Sequence, residues 1–197
     1  MRSVEQDFAY QPGFLSPVQS QTLLKALLQA PIWNQPSIQV FGHWHPIPRL
    51  QAWMGDVHYR YAGLTLPPTP WHPQVQQLRE HLSTHLQQPF NSVLLNLYRS
   101  GQDKMGWHAD DEPELDRTAA IASISLGAMR AFHLRHQGHS RSHSKIWLED
   151  GSLLIMRPGS QQHWQHALPA SRRCQAPRIN LTFRHINICP PHHKDLP

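Results

Sequence analysis

Residues 178–184 read Arg-Ile-Asn-Leu-Thr-Phe-Arg, a strict alternation of polar and apolar side chains. In an extended chain successive side chains point to opposite faces. Arg178, Asn180, Thr182 and Arg184 therefore share one side of a strand, and Ile179, Leu181 and Phe183 the other. The apolar side asks for a core. The polar side carries two arginines, and each guanidinium fork can hold a carboxylate through paired charge-assisted hydrogen bonds, so the pair suits a dicarboxylic acid. An edge strand with solvated arginines would show the same pattern.

Working back from this strand, which the pattern extends to residue 186, further short β-type runs occupy 93–98, 121–126, 131–135, 145–148 and 153–156. Asp150-Gly151 supplies a tight turn between two of them, and 138–144 is a polar, basic loop. Short strands separated by turns predict a jelly roll or a related sandwich. Before residue 91 the period changes. Ser16-Pro17 is a helix start followed by an apolar stripe of Leu23, Leu24, Leu27 and Leu28. A second helix, expected to start near Thr69-Pro70, carries Val75, Leu78, Leu82 and Leu86 as far as Pro89. Aromatic and β-branched residues between 38 and 63, punctuated by Pro46, Pro48 and Gly55, predict strands and loops. The fold class expected is α+β and mainly β, in one domain over residues 1–197.

Lys and Arg exceed Asp and Glu by 18 to 13, so a polyanion such as nucleic acid is a reasonable partner on charge. The two cysteines, Cys174 and Cys189, are too few and too far apart for a disulfide framework or a zinc ribbon, which fits a reducing compartment. No run of eighteen uncharged apolar residues occurs, and neither export nor a membrane span is expected.

His108-Ala-Asp110 sends an imidazole and a carboxylate to one side of an extended segment. In a chain with sixteen histidines about 0.65 such pairs arise by chance, so a third ligand is needed. His166 supplies one, with His163 as its neighbour and competitor. Two histidines and one carboxylate leave about three positions of an octahedral metal open, the pattern of non-haem Fe(II) oxygenases, whereas zinc more often takes a four-coordinate set. Any one of these histidines could equally be a surface or satisfied core residue. Asn96 and Tyr98 share a strand face just before the loop that delivers His108, where they can hydrogen-bond a carboxylate or ketone oxygen or merely fill a polar core.

Taken in order, NLYRSGQDKMGWHADDE (96–112), IASISLGAMRAF (121–132), HWQHALP (163–169) and APRINLTFRHI (176–186) resemble the successive signatures of the AlkB family of Fe(II)- and 2-oxoglutarate-dependent dioxygenases. The likeness runs over most of the chain. IQVFGHWHPIPR, PRLQAWMGD and HYRYAG extend it, within that family, to the substrate-recognition region of its mammalian nuclear DNA-repair member. The resemblance implies a double-stranded β-helix core over about residues 91–190, preceded by N-terminal helices and a nucleotide-recognition lid. It makes His108, Asp110 and His166 the iron ligands and sets Arg178 on the distal carboxylate of 2-oxoglutarate. Arg184, Asn180, Thr182, Asn96 and Tyr98 also hold that co-substrate, and O2 completes the reactants.

The same resemblance implies an alkylated DNA substrate, double-stranded, whose 1-methyladenine or 3-methylcytosine is flipped out and demethylated with release of formaldehyde. Phe41 becomes a wedge in the gap left by the base. Tyr61, where the mammalian protein has phenylalanine, stacks on the base, and Tyr59 and Glu112 meet its polar edge. A carboxylate at Glu112 suits a cationic methylated base and can accept from its exocyclic amine. Arg49, the basic loop 135–145, Arg172 and Arg173 are candidates for backbone phosphates. A monomer is expected, cytoplasmic in a bacterium and nuclear in a eukaryote. Two alternatives stand beside this: the same iron chemistry on RNA, protein or lipid, and a nucleic-acid-binding protein without catalysis.

Overall fold

The computed structural model describes residues 2–40, 42–61 and 64–187. A helical turn, α1 (Val4–Asp7), leads into strand β1 (Phe8–Gln11) and helix α2 (Pro17–Gln29). Strands β2 (Ser37–Val40), β3 (His43–Pro46), β4 (Leu50–Gly55), β5 (Tyr59–Tyr61) and β6 (Leu64–Leu66) follow, then helix α3 (Pro73–Leu86). The remainder is β7 (Ser92–Tyr98), β8 (Met105–His108), β9 (Ile121–Gly127), β10 (Arg130–His136), β11 (Ser144–Leu148), β12 (Ser152–Met156), the turn α4 (Ser160–His163), β13 (Trp164–Leu168) and β14 (Arg178–Arg184). Among the described residues no helix is long and apolar enough to cross a membrane.

The strands form a six-stranded sheet, β1-β12-β9-β14-β7-β4, and a four-stranded sheet, β11-β10-β13-β8, with β2-β3 and β5-β6 as separate hairpins. All pairings are antiparallel, the jelly-roll arrangement expected from the turns. Both edge strands of the larger sheet come from before residue 91: β4 from the stretch expected to hold strands and loops, and β1 from a stretch where no strand was expected.

Strand β14 lies between β7 and β9 with the predicted alternation intact. Ile179, Leu181 and Phe183 pair with Leu97, Leu95 and Val93 of β7 and with Leu126, Ile124 and Ala122 of β9. All nine are buried, in a core closed by Leu23, Leu24 and Leu27 of α2 and by Val75, Leu78 and Leu82 of α3. The opposite side of the sheet faces the smaller one, where Phe8, Ile121, Phe132, Leu134, Leu154 and Trp164 form a second apolar cluster.

Helix α2 begins as expected. Gln19 donates its backbone N–H to Ser16 Oγ at 3.3 Å and accepts from the Ser16 N–H at 2.9 Å, with Pro17 as the first helical residue. Leu28 falls outside the stripe and is 38% exposed. Helix α3 starts later than its apolar period implied. Thr69 exchanges two backbone hydrogen bonds with Gly55, and the residue before each of Pro70 and Pro73 is biased to extended backbone, so the helix begins at Pro73.

Asp150, in the β11–β12 turn, fastens α2 to the sheet: its carboxylate accepts from Ser20 Oγ at 2.8 Å, Gln21 Nε2 at 2.9 Å and the Gly127 N–H at 2.8 Å. Asp150→Ala leaves fully buried Ser20 without that acceptor. The expected cost is about 2–3 kcal/mol, read by differential scanning calorimetry as a melting temperature roughly 4–10 °C lower. An unchanged melting temperature would show that the tie carries no stability.

Candidate functional site

Strand β14 presents Arg178, Asn180, Thr182 and Arg184 to a cavity between the two sheets, beside Asn96 and Tyr98 of β7 and Ser123 of β9. The facing wall comes from the smaller sheet: His108, Phe132, His166 and Leu168. His108 on β8 and His166 on β13 are direct cross-strand partners, and Asp110 follows two residues beyond the end of β8. One donor atom from each of the three lies within 4.8 Å of the others. His163 sits exposed at the end of α4, outside this group, which settles the choice between the two histidines.

His108 Nδ1 lies 2.9 Å from the Gly106 carbonyl, which assigns the proton to Nδ1 and leaves Nε2, 3.9 Å from Asp110 Oδ1, for a metal. His166 stacks on Phe132 with ring centroids 5.0 Å apart, and its Nδ1 is buried with no hydrogen-bond partner among the described residues. Burial works against the charge on Asp110. Arg184, whose Nη2 lies 3.0 Å from Oδ2, outweighs it together with the two histidines and holds the carboxyl at about 2. Burial, helped by His108, pushes His166 down to about 3. The neutral imidazole and ionised carboxylate are the forms a metal needs, so the site is set to bind before any ion arrives. Two imidazoles and one carboxylate fit Fe(II), with positions left for other ligands.

Arg178 is 2% exposed, and burial lowers its guanidinium only to about 10, so it stays charged at neutral pH. Its Nη2 donates to Ser125 Oγ at 2.9 Å, while Nε is buried and unpartnered among the described residues. No carboxylate there lies within ion-pairing distance of it. Its charge is met by the Tyr98 ring at 5.4 Å and the Ser125 hydroxyl, and it lines a cavity that an anion can enter. Asn96 Oδ1 already accepts from Arg49 Nε at 2.8 Å and Gln51 Nε2 at 3.0 Å, so what it offers a ligand is an amide N–H. Asn180 and Thr182 line the cavity, but their polar groups are tied into the sheet. Asn180 Nδ2 donates to Ser123 Oγ at 2.7 Å, and its Oδ1 accepts from Thr182 Oγ1 at 2.9 Å.

The loop that delivers β8 is pinned. Arg99 forms a two-pronged ion pair with Asp103 at 2.8 and 2.9 Å. Arg130, itself buried, donates to the carbonyls of Ser100, Asp103 and Pro169. The Gly101 N–H donates to the Cys174 carbonyl and the Ser171 N–H to the Gly101 carbonyl, and any side chain at 101 would collide with Ser171. Arg130, Ser125, Phe132 and Gln161 were not found from the sequence. Only Arg130, a charged residue opening an apolar alternation, carried a usable signal.

A second cavity shares Asp110 and Arg184 with the first and is lined also by Asp111, Glu112 and Gln161. Arg172 and Arg173 are exposed on the segment leading into β14. Arg49 is 6% exposed, and its Nε donates to Asn96 Oδ1 at 2.8 Å. Phe41 lies outside the described residues. Tyr59 and Tyr61 belong to β5, whose backbone is described and whose side chains are not.

A model of the 2OG-Fe(II) oxygenase superfamily matches residues 7–184. DNA oxidative demethylase ALKBH2 of Bos taurus is 45% identical over 158 residues, 76% of this chain and 57% of that protein. The Homo sapiens protein of that name is 46% identical over the same length, 60% of its own. Human alpha-ketoglutarate-dependent dioxygenase alkB homolog 3 is 38% identical over 184 residues, 89% of this chain and 64% of that protein. The chain thus spans 57 to 64% of these relatives' lengths. A solved chain described as "The structure of OsALKBH1" shares the fold with a TM-score of 0.60 at 19% identity, over 94% of this chain and 99% of that one.

The depressed His166 gives a signed pH dependence. Below its ordinary value near 6.5 the unfolded chain takes up a proton that the folded site refuses until about 3, so stability falls as pH drops through that window. Between pH 7 and 5.5 the metal-free wild type should lose about 1 kcal/mol more than His166→Gln in urea titrations, other histidines cancelling in the difference. Parallel pH profiles would show that His166 titrates normally.

Proposed function

Since the chain belongs to the AlkB family of the 2OG-Fe(II) oxygenase superfamily, we propose that it is an oxidative demethylase of N-alkylated bases in DNA, 1-methyladenine and 3-methylcytosine among them, and that it acts on duplexes as a monomer. The observation that carries this reading is the convergence of His108, Asp110 and His166 on one cavity that is also lined by a buried Arg178 with no carboxylate partner among the described residues.

In this role His108, Asp110 and His166 hold Fe(II), while Arg178, Asn96, Tyr98, Asn180, Thr182 and Arg184 receive 2-oxoglutarate. Bound there, Fe(II) with 2-oxoglutarate and O2 would supply the oxidation of an N-alkyl carbon, the co-substrate leaving as succinate and CO2 and the alkyl group as formaldehyde with the normal base restored. The protein's own work is positioning. Arg178 takes the far carboxylate as its missing counter-ion and fixes the co-substrate's direction in the cavity. Arg184 keeps Asp110 ionised while its own charge faces the same space. Leu94, Met105, Phe132, Leu148, Met156 and Leu168 supply the apolar part of the cavity wall against which these groups are set.

Glu112, which lines the second cavity, places a negative charge where a cationic methylated base would be read. Tyr59 and Tyr61 are assigned to the flipped base and Phe41 to the vacated stack, with Arg172 and Arg173 on phosphates. The two demethylases of the same family among the relatives support a DNA substrate, as does the formal net charge of +5. One domain over residues 1–197 is part of the proposal.

The test is formaldehyde and succinate release from 1-methyladenine duplex DNA with Fe(II) and 2-oxoglutarate, beside the same lesion in single-stranded DNA and in RNA. Wild type should turn over the duplex, and Asp110→Ala should lose both products. Arg178→Gln should raise the KM for 2-oxoglutarate roughly 10- to 100-fold, the loss of a buried charged hydrogen bond. Succinate without formaldehyde would remove the nucleic-acid substrate, and faster turnover of the RNA would remove DNA.

A further inference from the structure

The three ligand residues are not held alike. His108 and His166 occupy paired positions on hydrogen-bonded strands, whereas Asp110 lies past the end of β8 in a stretch without regular structure. Two contacts locate it. Arg184 takes Oδ2 of its carboxylate, leaving Oδ1 turned toward His108 Nε2. Its backbone N–H donates to Gln161 Oε1 at 2.9 Å.

Gln161 is itself anchored. It sits on α4, the single turn that runs directly into β13 and His166. Its Nε2 donates to Ser160 Oγ at 3.1 Å and lies 3.4 Å from Met156 Sδ, and its carbonyl accepts from Gln137 Nε2 at 3.3 Å. One side-chain amide therefore joins the loop of Asp110 to the element that carries His166, across 51 positions of sequence.

We propose that Gln161 is a positioning residue for the metal centre: by accepting from the Asp110 N–H it fixes the backbone of the carboxylate ligand relative to both histidines. With that backbone fixed, Asp110 can give Oδ1 to a metal without letting go of Arg184. Without it, an unsatisfied N–H and a free loop let the carboxylate follow Arg184 away from the imidazoles. Gln161 touches no reacting atom and acts only through Asp110. The inference rests on the oxygenase reading above.

The experiment is calorimetric titration of the metal-free protein with Mn(II), a probe that needs no turnover, on wild type, Gln161→Leu, Gln161→Glu and His108→Ala. Leu keeps the approximate volume without an acceptor; Glu keeps an oxygen at the same reach. Gln161→Leu should bind Mn(II) roughly 10- to 100-fold more weakly, as expected for a partner of a ligand, while Gln161→Glu stays close to wild type. Thermal unfolding in chelator confirms that the Leu variant is folded. Its ratio of succinate to formaldehyde should rise as the displaced carboxylate uncouples the two half-reactions. Leu binding as tightly as wild type would overturn the proposal, as would Leu and Glu weakened alike. Wild type that binds Mn(II) no better than His108→Ala would overturn the oxygenase reading itself.

Discussion

Two guanidinium groups buried on one face of a central strand set the terms for everything around them. A cation removed from water must be met by negative charge or by hydrogen bonds, or the fold loses several kcal/mol. Arg184 is met by Asp110 at 3.0 Å, and that pairing turns a carboxylate inward at the end of β8, next to two imidazoles. Arg178 is met by one serine hydroxyl and no carboxylate among the described residues. The first arginine completes a metal-binding group; the second leaves a charge to be answered by a ligand. Both follow from a strand whose other face must be apolar because it lies under α2 and α3.

The electrostatics of the three-residue group run in one direction. Arg184 keeps Asp110 ionised despite burial, and burial keeps His166 neutral. Each effect separately favours the metal-binding protonation state, so preorganisation is a property of the protein and not something an ion must impose. Mechanical support has the same character. Arg130, Arg99 and Gly101 fix the loop before β8, Phe132 fixes the His166 ring, and Gln161 holds the backbone after β8.

Strands with β-branched residues and regular alternation, such as β9 and β14, were legible in the sequence to within a residue or two, as was the capped start of α2. The strands β1 (FAYQ), β8 (MGWH) and β13 (WQHAL) were not. None contains a β-branched residue, and each is stabilised by its neighbours in a sheet rather than by its own preference. Two of the three are the strands that carry His108 and His166, so these candidate residues were readable before the elements that hold them.

By itself the sequence determined the β architecture of the second half, the two faces of β14 and the His108–Asp110 pair, because alternation, turn chemistry and donor type are written in neighbouring residues. Tertiary structure alone decided which of His163 and His166 reaches the group, that Arg49 is buried on Asn96, that Asn180 and Thr182 bond each other, and that Arg178 has no carboxylate partner among the described residues. Each of those outcomes depends on the register of strands far apart in the chain, and on which side chains that register removes from water, for which no local pattern exists.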